Sequence, residues 1–380
     1  MTSADLLLER ATEISGLGDF GDLGIFRPGL SILLDALSES HLDLEERATL
    51  EGLWIARLVL RLRLVNFWAN HPELAGELLE GPLVVIGLPR TGTTPLIDLL
   101  SSDPQARTMR QWETANLLPP PTRECWPDDP RIETFEKSVN AHPRPFQKLG
   151  LHALGALLPD ECNTVLALDF WGPNGPGTPV HLPGYAEWLK NYRPLRPYHT
   201  HRSVLRHLQA HGPTGRWTLK SPFHLFAVPE LLAEYPDAML VQIHRDPCEV
   251  FPSICGLYTA ARDQLSVLEG RAAIGAPLLD MWAAGLQRCV RDRQDPAVNS
   301  RVLDISYNDF SSNPIATARA IYDHFGLPVS DETLDAFRSW VDRPTQQKSR
   351  ASFTLKEFGL TREDVERATA HYYEEYKEYL

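Results

Sequence analysis

The stretch LVVIGLPRTGTT, residues 83–94, runs from four aliphatic residues into a loop holding two glycines, an arginine and three threonines. An unbroken aliphatic run rich in β-branched residues predicts a strand buried on both faces. The following PLIDLLSSDP predicts a helix that stops before Pro104. Pro95 is tolerated in its first turn, where amide hydrogens lack an intrahelical partner. Strand, loop and helix in this order bring free amides and the positive end of a helix dipole to one point, which favours an anion. Gly92 lets the backbone approach that anion, Thr91, Thr93 and Thr94 add hydroxyls, and Arg90 adds a fixed charge. Against the pattern GxxxxGK[ST], the glycines match, but Thr93 stands where the lysine belongs. A loop for a nucleoside triphosphate needs that lysine at the β- and γ-phosphates.

Outward from the loop, strand signals recur in RWTLKSP, AMLVQIHRD and RVLDISYND. Helical patterns lie between and after them in LFAVPELLAEYP, LLDMWAAGLQRCVRD and IATARAIYDHFG. Such alternation predicts an α/β fold, a central parallel sheet with helices on both faces. Residues 1–80 carry helical periodicity and no strand-like alternation, and are expected as a helical region ahead of an α/β domain over 81–380. Within that domain, residues 118–215 mix loop signals such as LPPPTRECWPDDP and WGPNGPGTP with short helical patterns, as a substrate-side insertion or lid would. The tail TREDVERATAHYYEEYKEYL reads as a charged terminal helix.

The 380 residues carry 37 basic and 50 acidic side chains, a formal net charge of −13. That balance disfavours nucleic acid as a partner but leaves room for a small polyanion held by locally concentrated cations. Five cysteines, an odd number with no CxxC pair, point to a reducing, cytoplasmic compartment without a disulfide framework. The N-terminus lacks the basic and apolar regions of a signal peptide. The most apolar long segment, LWIARLVLRLRLVNFW, is interrupted by Arg57, Arg61 and Arg63, so no stable membrane insertion is expected. It reads instead as a buried helix with arginines at its rim, the alternative being a basic amphipathic helix at a membrane surface. A homo-oligomer is compatible with the sequence.

PRTGTT (residues 89–94) resembles the 5′-phosphosulfate loop of the sulfotransferases that use 3′-phosphoadenosine-5′-phosphosulfate (PAPS), whose fold is P-loop-like and three-layered. In that resemblance Arg90 holds the bridging oxygen and the leaving phosphate. PAPS carries a 3′-phosphate that ATP lacks, and the family meets it with an arginine at a strand end and a serine on the next helix. VQIHRDPCEVFPSI supplies Arg245 and Ser253 at the family's spacing. A strand's C-terminal end is where such sheets bind ligands, and arginine grips phosphate bidentately. The plain alternative is a surface ion pair of Arg245 with Asp246 or Glu249. WTLKSPFHL resembles the family segment carrying a lysine, here Lys220, and SYNDF the segment whose tyrosine, Tyr307, lies near the adenine. QQKSRASFTLKEFGL sits where the family has a basic loop over the 3′-phosphate, implicating Lys348 and Arg350, although its sequence departs from the family pattern. The resemblance covers roughly residues 83–360, to bacterial sulfotransferase-like proteins and, around the loop, to tyrosylprotein sulfotransferases.

The resemblance implies in-line sulfuryl transfer from PAPS, without a required metal, to a hydroxyl or amine of a small acceptor. Arg90 and Lys220 are placed to neutralise the leaving group, and a general base must take the acceptor's proton. Glu113 lies 23 residues after Arg90, where tyrosylprotein and heparan-type sulfotransferases carry a catalytic glutamate. His224 lies near the histidine of cytosolic members, but Pro222 occupies the matching position. Glu161 is a further acid. His199, His201, His207 and His211 invite a metal reading, but no cysteine or carboxylate completes a pattern with them. Trp112, Trp171, Trp188, Tyr192 and Tyr198 suggest an apolar or ring-bearing acceptor. Two rivals remain: a P-loop kinase, and a non-catalytic nucleotide-binding protein of the same fold.

Overall fold

The computed structural model describes residues 2–172, 182–193, 196, 198–262, 270–343 and 352–380. Lys348 and Arg350 lie outside them. Three helices come first: α1 (Ala4–Ser15), α2 (Leu23–Ser38) and α3 (Leu44–Asn70). Each starts on a side-chain cap, from Ser3, Asp22 and Asp43, that satisfies an otherwise orphaned amide. Five parallel strands follow: β1 (Leu83–Ile86), β2 (Ala106–Arg107), β3 (Arg216–Lys220), β4 (Met239–His244) and β5 (Val302–Ser306). Their spatial order is β2-β3-β1-β4-β5.

Every residue of β1 is buried, and alternate residues serve different cores. Val84 and Ile86 join a core with Leu219 and Leu240 that also takes in Leu7, Leu30, Trp54 and Leu58 of α1–α3. Leu83 and Val85 join a second core with Val241, Ile243, Leu96, Leu99, Phe310, Ile321 and Phe337. The sheet is therefore the middle of three layers, as the strand–helix alternation predicts. The residue-to-residue alternation also explains why β1 is apolar throughout: neither face meets water.

Several details depart from the sequence reading. The edge strand β2 was not anticipated; it is only two residues long, formed where its ladder meets Arg216 and Trp217. The tail is not one helix but two, Arg362–Ala368 and Ala370–Tyr376. They are separated at Thr369, whose hydroxyl bonds back to the Val365 carbonyl at 2.7 Å. Trp112, Trp171 and Tyr198 are core residues, at 3% exposure or less, rather than pocket walls. Trp188 stacks on Tyr185 and Tyr192.

The arginines of α3 divide. Arg63 faces solvent. Arg61 is interior: its Nη1 meets Asp169 Oδ1 at 2.5 Å, its Nε donates to the Phe20 carbonyl at 2.8 Å, and its guanidinium sits 4.3 Å from the Phe26 ring centre. Arg57 donates to the Ala167 carbonyl at 3.1 Å, and burial pulls its pKa down to about 10. These arginines tie α3 to the 167–170 turn. Among the described residues, no helix is long and apolar enough to cross a membrane.

Removing one partner of the Arg61–Asp169 pair strands the other charge in the core. Arg61→Ala is expected to lower unfolding free energy by about 3–5 kcal/mol, and Arg63→Ala to change it by less than about 0.5 kcal/mol, both read by urea denaturation.

Candidate active site

β1 lies between β3 and β4, although the chain visits β2 before β3 and crosses back over β1 to reach β4. This switch point, at the C-terminal ends of the strands, is where open α/β sheets bind ligands. Neighbouring strands are about 4.8 Å apart, so side chains just past their ends share one small region. β1 delivers the loop with Arg90, β3 ends on Lys220, β4 is followed by Arg245 and β5 by Tyr307.

The loop is held in an unusual conformation. Gly87 and Gly92 have φ of 145° and 96°. A Cβ on Gly87 would come within 2.7 Å of the Ile243 carbonyl oxygen, and one on Gly92 within 2.6 Å of the Tyr307 ring. Arg90 itself has φ of 69°, a left-handed conformation that costs free energy outside glycine. The Thr91 hydroxyl donates to the Leu88 carbonyl at 2.7 Å, which braces the loop. Gly92 precedes helix α4 (Thr93–Leu100), and no side chain caps that helix.

Arg90 donates from Nε to Ser253 Oγ at 3.0 Å and from Nη1 to the Leu151 carbonyl. No carboxylate pairs with it among the described residues. Burial, then the charge of Arg245, holds its pKa below the ordinary arginine value, with Tyr307 opposing. Arg245 pairs with Glu249 (Nε–Oε2 3.0 Å), one of its two plain alternatives, and its guanidinium stacks 4.3 Å from the Tyr307 ring centre. Two repelling guanidiniums beside an uncapped helix start are an arrangement that an anion would relieve. The loop, Arg245, Ser253 and Tyr307 are thus brought together.

Lys220, 3% exposed, completes the cationic edge. Its Nζ donates to Thr94 Oγ1 at 3.3 Å and pairs with Glu161 Oε1. Asn163 Nδ2 donates to the other Glu161 oxygen at 3.0 Å, and Ser221 Oγ donates to Asn163 Oδ1 at 2.5 Å. Glu161 and Lys220 open on a cleft of about 310 Å³ walled by Ile97, Leu158, Pro159 and Trp340. Burial raises the Glu161 pKa, but the Lys220 ammonium and His152 outweigh it, so the carboxyl ends below its ordinary value. His152 lines the same cleft; burial, with Lys220 and Arg90 adding and Glu161 opposing, keeps its pKa low. Nothing in the sequence around His152 marks it. It reaches the cleft only because the chain folds back there from the 108–215 connection.

Neither leading base candidate reaches this cleft. Glu113 is fully buried, and both its oxygens are taken. Oε1 accepts from Arg107 Nη2 at 2.5 Å and Trp126 Nε1 at 2.7 Å; Oε2 accepts from Arg107 Nη1 at 2.9 Å and the Arg110 amide at 3.0 Å. A carboxylate so saturated has no lone pair left for an acceptor's proton. His224 is also fully buried, with Nδ1 against the Tyr198 hydroxyl at 2.8 Å, and burial drives its pKa well down. Its place is under the sheet's end, not on the cleft.

Each histidine of the cluster has a partner within the fold. His201 meets the Tyr235 hydroxyl at 2.7 Å, His207 the Leu117 carbonyl at 2.8 Å, His211 the His207 carbonyl at 2.9 Å and His199 the Arg196 guanidinium at 3.1 Å. Burial lowers the His201 pKa to about 3. Among the described residues, no group of three or more His, Cys, Asp or Glu is arranged to hold a metal ion.

Comparison with known proteins gives a consistent picture. The sequence profile of the Sulfotransferase family matches residues 82–331. The crystal structure of sulfotransferase STF1 from Mycobacterium tuberculosis superposes with a TM-score of 0.83 at 32% identity, over 97% of this chain and 99% of that one. Sulfotransferase STF9 from Mycobacterium avium gives 0.85 at 26% identity, over 99% and 97%. The omega-hydroxy-beta-dihydromenaquinone-9 sulfotransferases Stf3 of Mycobacterium bovis and Mycobacterium tuberculosis are 28% identical over 127 residues. That match spans 32% of this chain and 32% of the length of those curated relatives.

If Glu113 is a structural carboxylate, Glu113→Gln leaves Arg107 buried without its counter-charge. Unfolding free energy is then expected to fall by about 3–5 kcal/mol in urea denaturation. An unchanged midpoint would show that the pair is not what holds this region.

Proposed function

The chain belongs to the sulfotransferase family, and on that premise we propose that it moves a sulfuryl group from PAPS to a hydroxyl on a small, apolar or ring-bearing acceptor. The observation that carries this reading is the edge of three cations, Arg90, Lys220 and Arg245, at adjoining strand ends around an uncapped helix start, with Glu161 paired to Lys220 at the cleft. PAPS, when bound, supplies a sulfuryl group on a phosphate that leaves readily. The α4 amides and Arg90 suit its 5′ end. Arg245 and Ser253 suit its 3′-phosphate, and the ring of Tyr307 suits its base. Arg90 and Lys220 neutralise charge on the leaving side, a role in which fixed cations outperform reorganising water.

Glu161, rather than Glu113 or His224, is the base in this proposal. Its carboxylate opens on the cleft, and Lys220 and Asn163 fix its two oxygens. The Lys220 ammonium keeps it ionised, ready to accept the acceptor's proton. The cleft walls of Ile97, Leu158, Pro159 and Trp340 present hydrocarbon and one indole to the acceptor, whose reacting hydroxyl would meet Glu161 at the polar end. At about 310 Å³ the cleft is at the small end for ligand pockets, which run about 300–1,000 Å³, so it suits the reacting end of an acceptor. The Stf3 relatives are named for a hydroxylated menaquinone, an acceptor of the same chemical class.

Glu161→Gln is expected to cut kcat by about 10²- to 10⁴-fold while the protein stays folded. In the parent enzyme the base is lost as pH falls through a pKa held below the ordinary carboxylate value of about 4.3, so the acid limb of kcat/KM lies below that value. Glu161→Gln should abolish the limb. A variant that keeps both turnover and limb would clear Glu161.

Donor identity is tested by thermal shift. Adenosine 3′,5′-bisphosphate is expected to raise the melting temperature, and ATP with Mg²⁺ to raise it less. The reverse order would favour a kinase. Sulfate transfer from PAPS to a panel of apolar alcohols, read by mass spectrometry, distinguishes an enzyme from a binding protein of the same fold.

A further inference from the structure

Two successive tyrosines of the C-terminal helix Ala370–Tyr376 reach the residues on either side of Arg245. The Tyr372 hydroxyl meets His244 Nδ1 at 2.7 Å. The Tyr373 hydroxyl donates to Asp246 Oδ1 and lies 3.5 Å from Cys248 Sγ. His244 is held from its other side, where Nε2 meets Asp304 Oδ1 at 2.7 Å. Because Asp304 is a carboxylate and only accepts, Nε2 carries the proton, and Nδ1 accepts from Tyr372. Asp304 is itself gripped by Arg293 through two contacts of 2.6 Å. Earlier in the C-terminal segment, Phe353 packs over Gly256 so closely that a Cβ there would come within 2.3 Å of its ring. The C-terminal segment therefore fastens the turn before the helix Pro247–Arg262 and the body of that helix, which carries Ser253.

The contact with Asp246 has a specific electrostatic consequence. Asp246 follows Arg245 directly and, with Glu249, is one of two carboxylates that the sequence places to neutralise it. In the structure it does not pair with Arg245. Its Oδ1 caps the helix by accepting the Cys248 amide at 2.8 Å and also accepts from Tyr373, while Arg362 approaches Oδ2 at 3.9 Å. Arg245 is left between Glu249, half exposed, and the Tyr307 ring. A carboxylate engaged by a hydroxyl and a backbone amide is less available to a neighbouring guanidinium.

We propose that Tyr373, with Tyr372 as its companion on His244, is a positioning residue for the 3′-phosphate site: it draws Asp246 away from Arg245 and so keeps that guanidinium available to a nucleotide 3′-phosphate. This rests on the PAPS reading above, since it assigns Arg245 to that phosphate. The ligand chemistry concerned is a ribose 3′-phosphate, and the effect acts on recognition rather than on the transfer step.

The test is calorimetric titration of the full chain with adenosine 3′,5′-bisphosphate and, separately, with adenosine 5′-monophosphate, which lacks the 3′-phosphate. Tyr373→Phe is expected to weaken the bisphosphate by about tenfold and the monophosphate by less than about twofold. The double variant Tyr373→Phe/Asp246→Asn is expected to recover bisphosphate affinity. Asparagine still caps the helix but no longer competes for Arg245. Equal weakening of both nucleotides by Tyr373→Phe, or failure of the second substitution to rescue, would make Tyr373 a mere packing residue and overturn the proposal. A wild-type chain that binds both nucleotides equally would instead sink the PAPS reading itself, and this proposal with it. A clear wild-type preference that is undiminished in Tyr373→Phe sinks only the proposal.

Discussion

The parallel pairing of β1 between β3 and β4 is the constraint on which the site depends. Register sets Val85 beside Lys220 and Ile86 beside Gln242, while β4 pairs with β5 as far as His244 and Ser306. All these strands point the same way, so all their C-terminal ends emerge on one edge. Arg90, Lys220, Arg245 and Tyr307 come from four distant parts of the chain and still meet there. Packing then compresses them: Tyr307 fits against Gly92, and Ile243 against Gly87, with no room for a side chain at either glycine. A concentration of positive charge on a chain of net charge −13 is possible because the sheet gathers cations that the sequence scatters.

That concentration is costly in the absence of a ligand, and the structure shows how the cost is contained. Lys220 is partnered by Glu161, and Arg245 by Glu249 and the face of Tyr307. Arg90 is held by a hydroxyl and a carbonyl rather than by a carboxylate. Asp246, next to Arg245 in sequence, is committed elsewhere, to a helix cap and Tyr373. The buried pairs Arg61–Asp169 and Arg107–Glu113 lie outside the cleft and stiffen its surroundings. Charge is thus sorted by position: neutralised in the scaffold, paired at Lys220 and Arg245, and left without a carboxylate at Arg90 among the described residues.

Much of this was legible in the residues themselves. A strand buried on both faces must be apolar throughout, so LVVI announced its place in the middle of a three-layer fold. The loop's glycines and Arg90 read as an anion site, and the resemblance to PAPS-dependent sulfotransferases implied a second one at Arg245 and Ser253. The base was harder to read. Glu113 and Glu161 are both acids near turn-like segments, and nothing in one dimension distinguishes a carboxylate saturated by Arg107, Trp126 and an amide from one open to a cleft. His152 carried no signal at all. The tail read as a charged helix because of its many glutamates, while its two short helices bury Val365, Tyr372 and Tyr376.

By itself the sequence determined the fold class, because it follows from local pattern: strand burial, turn-forming glycines and the order of strand, loop and helix. The tertiary structure alone decided which carboxylate faces the cleft, what partners each cation and how the C-terminal tyrosines flank Arg245. Those outcomes depend on contacts between residues as far apart as Asp246 and Tyr373 or Lys220 and Glu161. Such contacts are settled by how the layers pack, and packing is a property of three dimensions that no local pattern encodes.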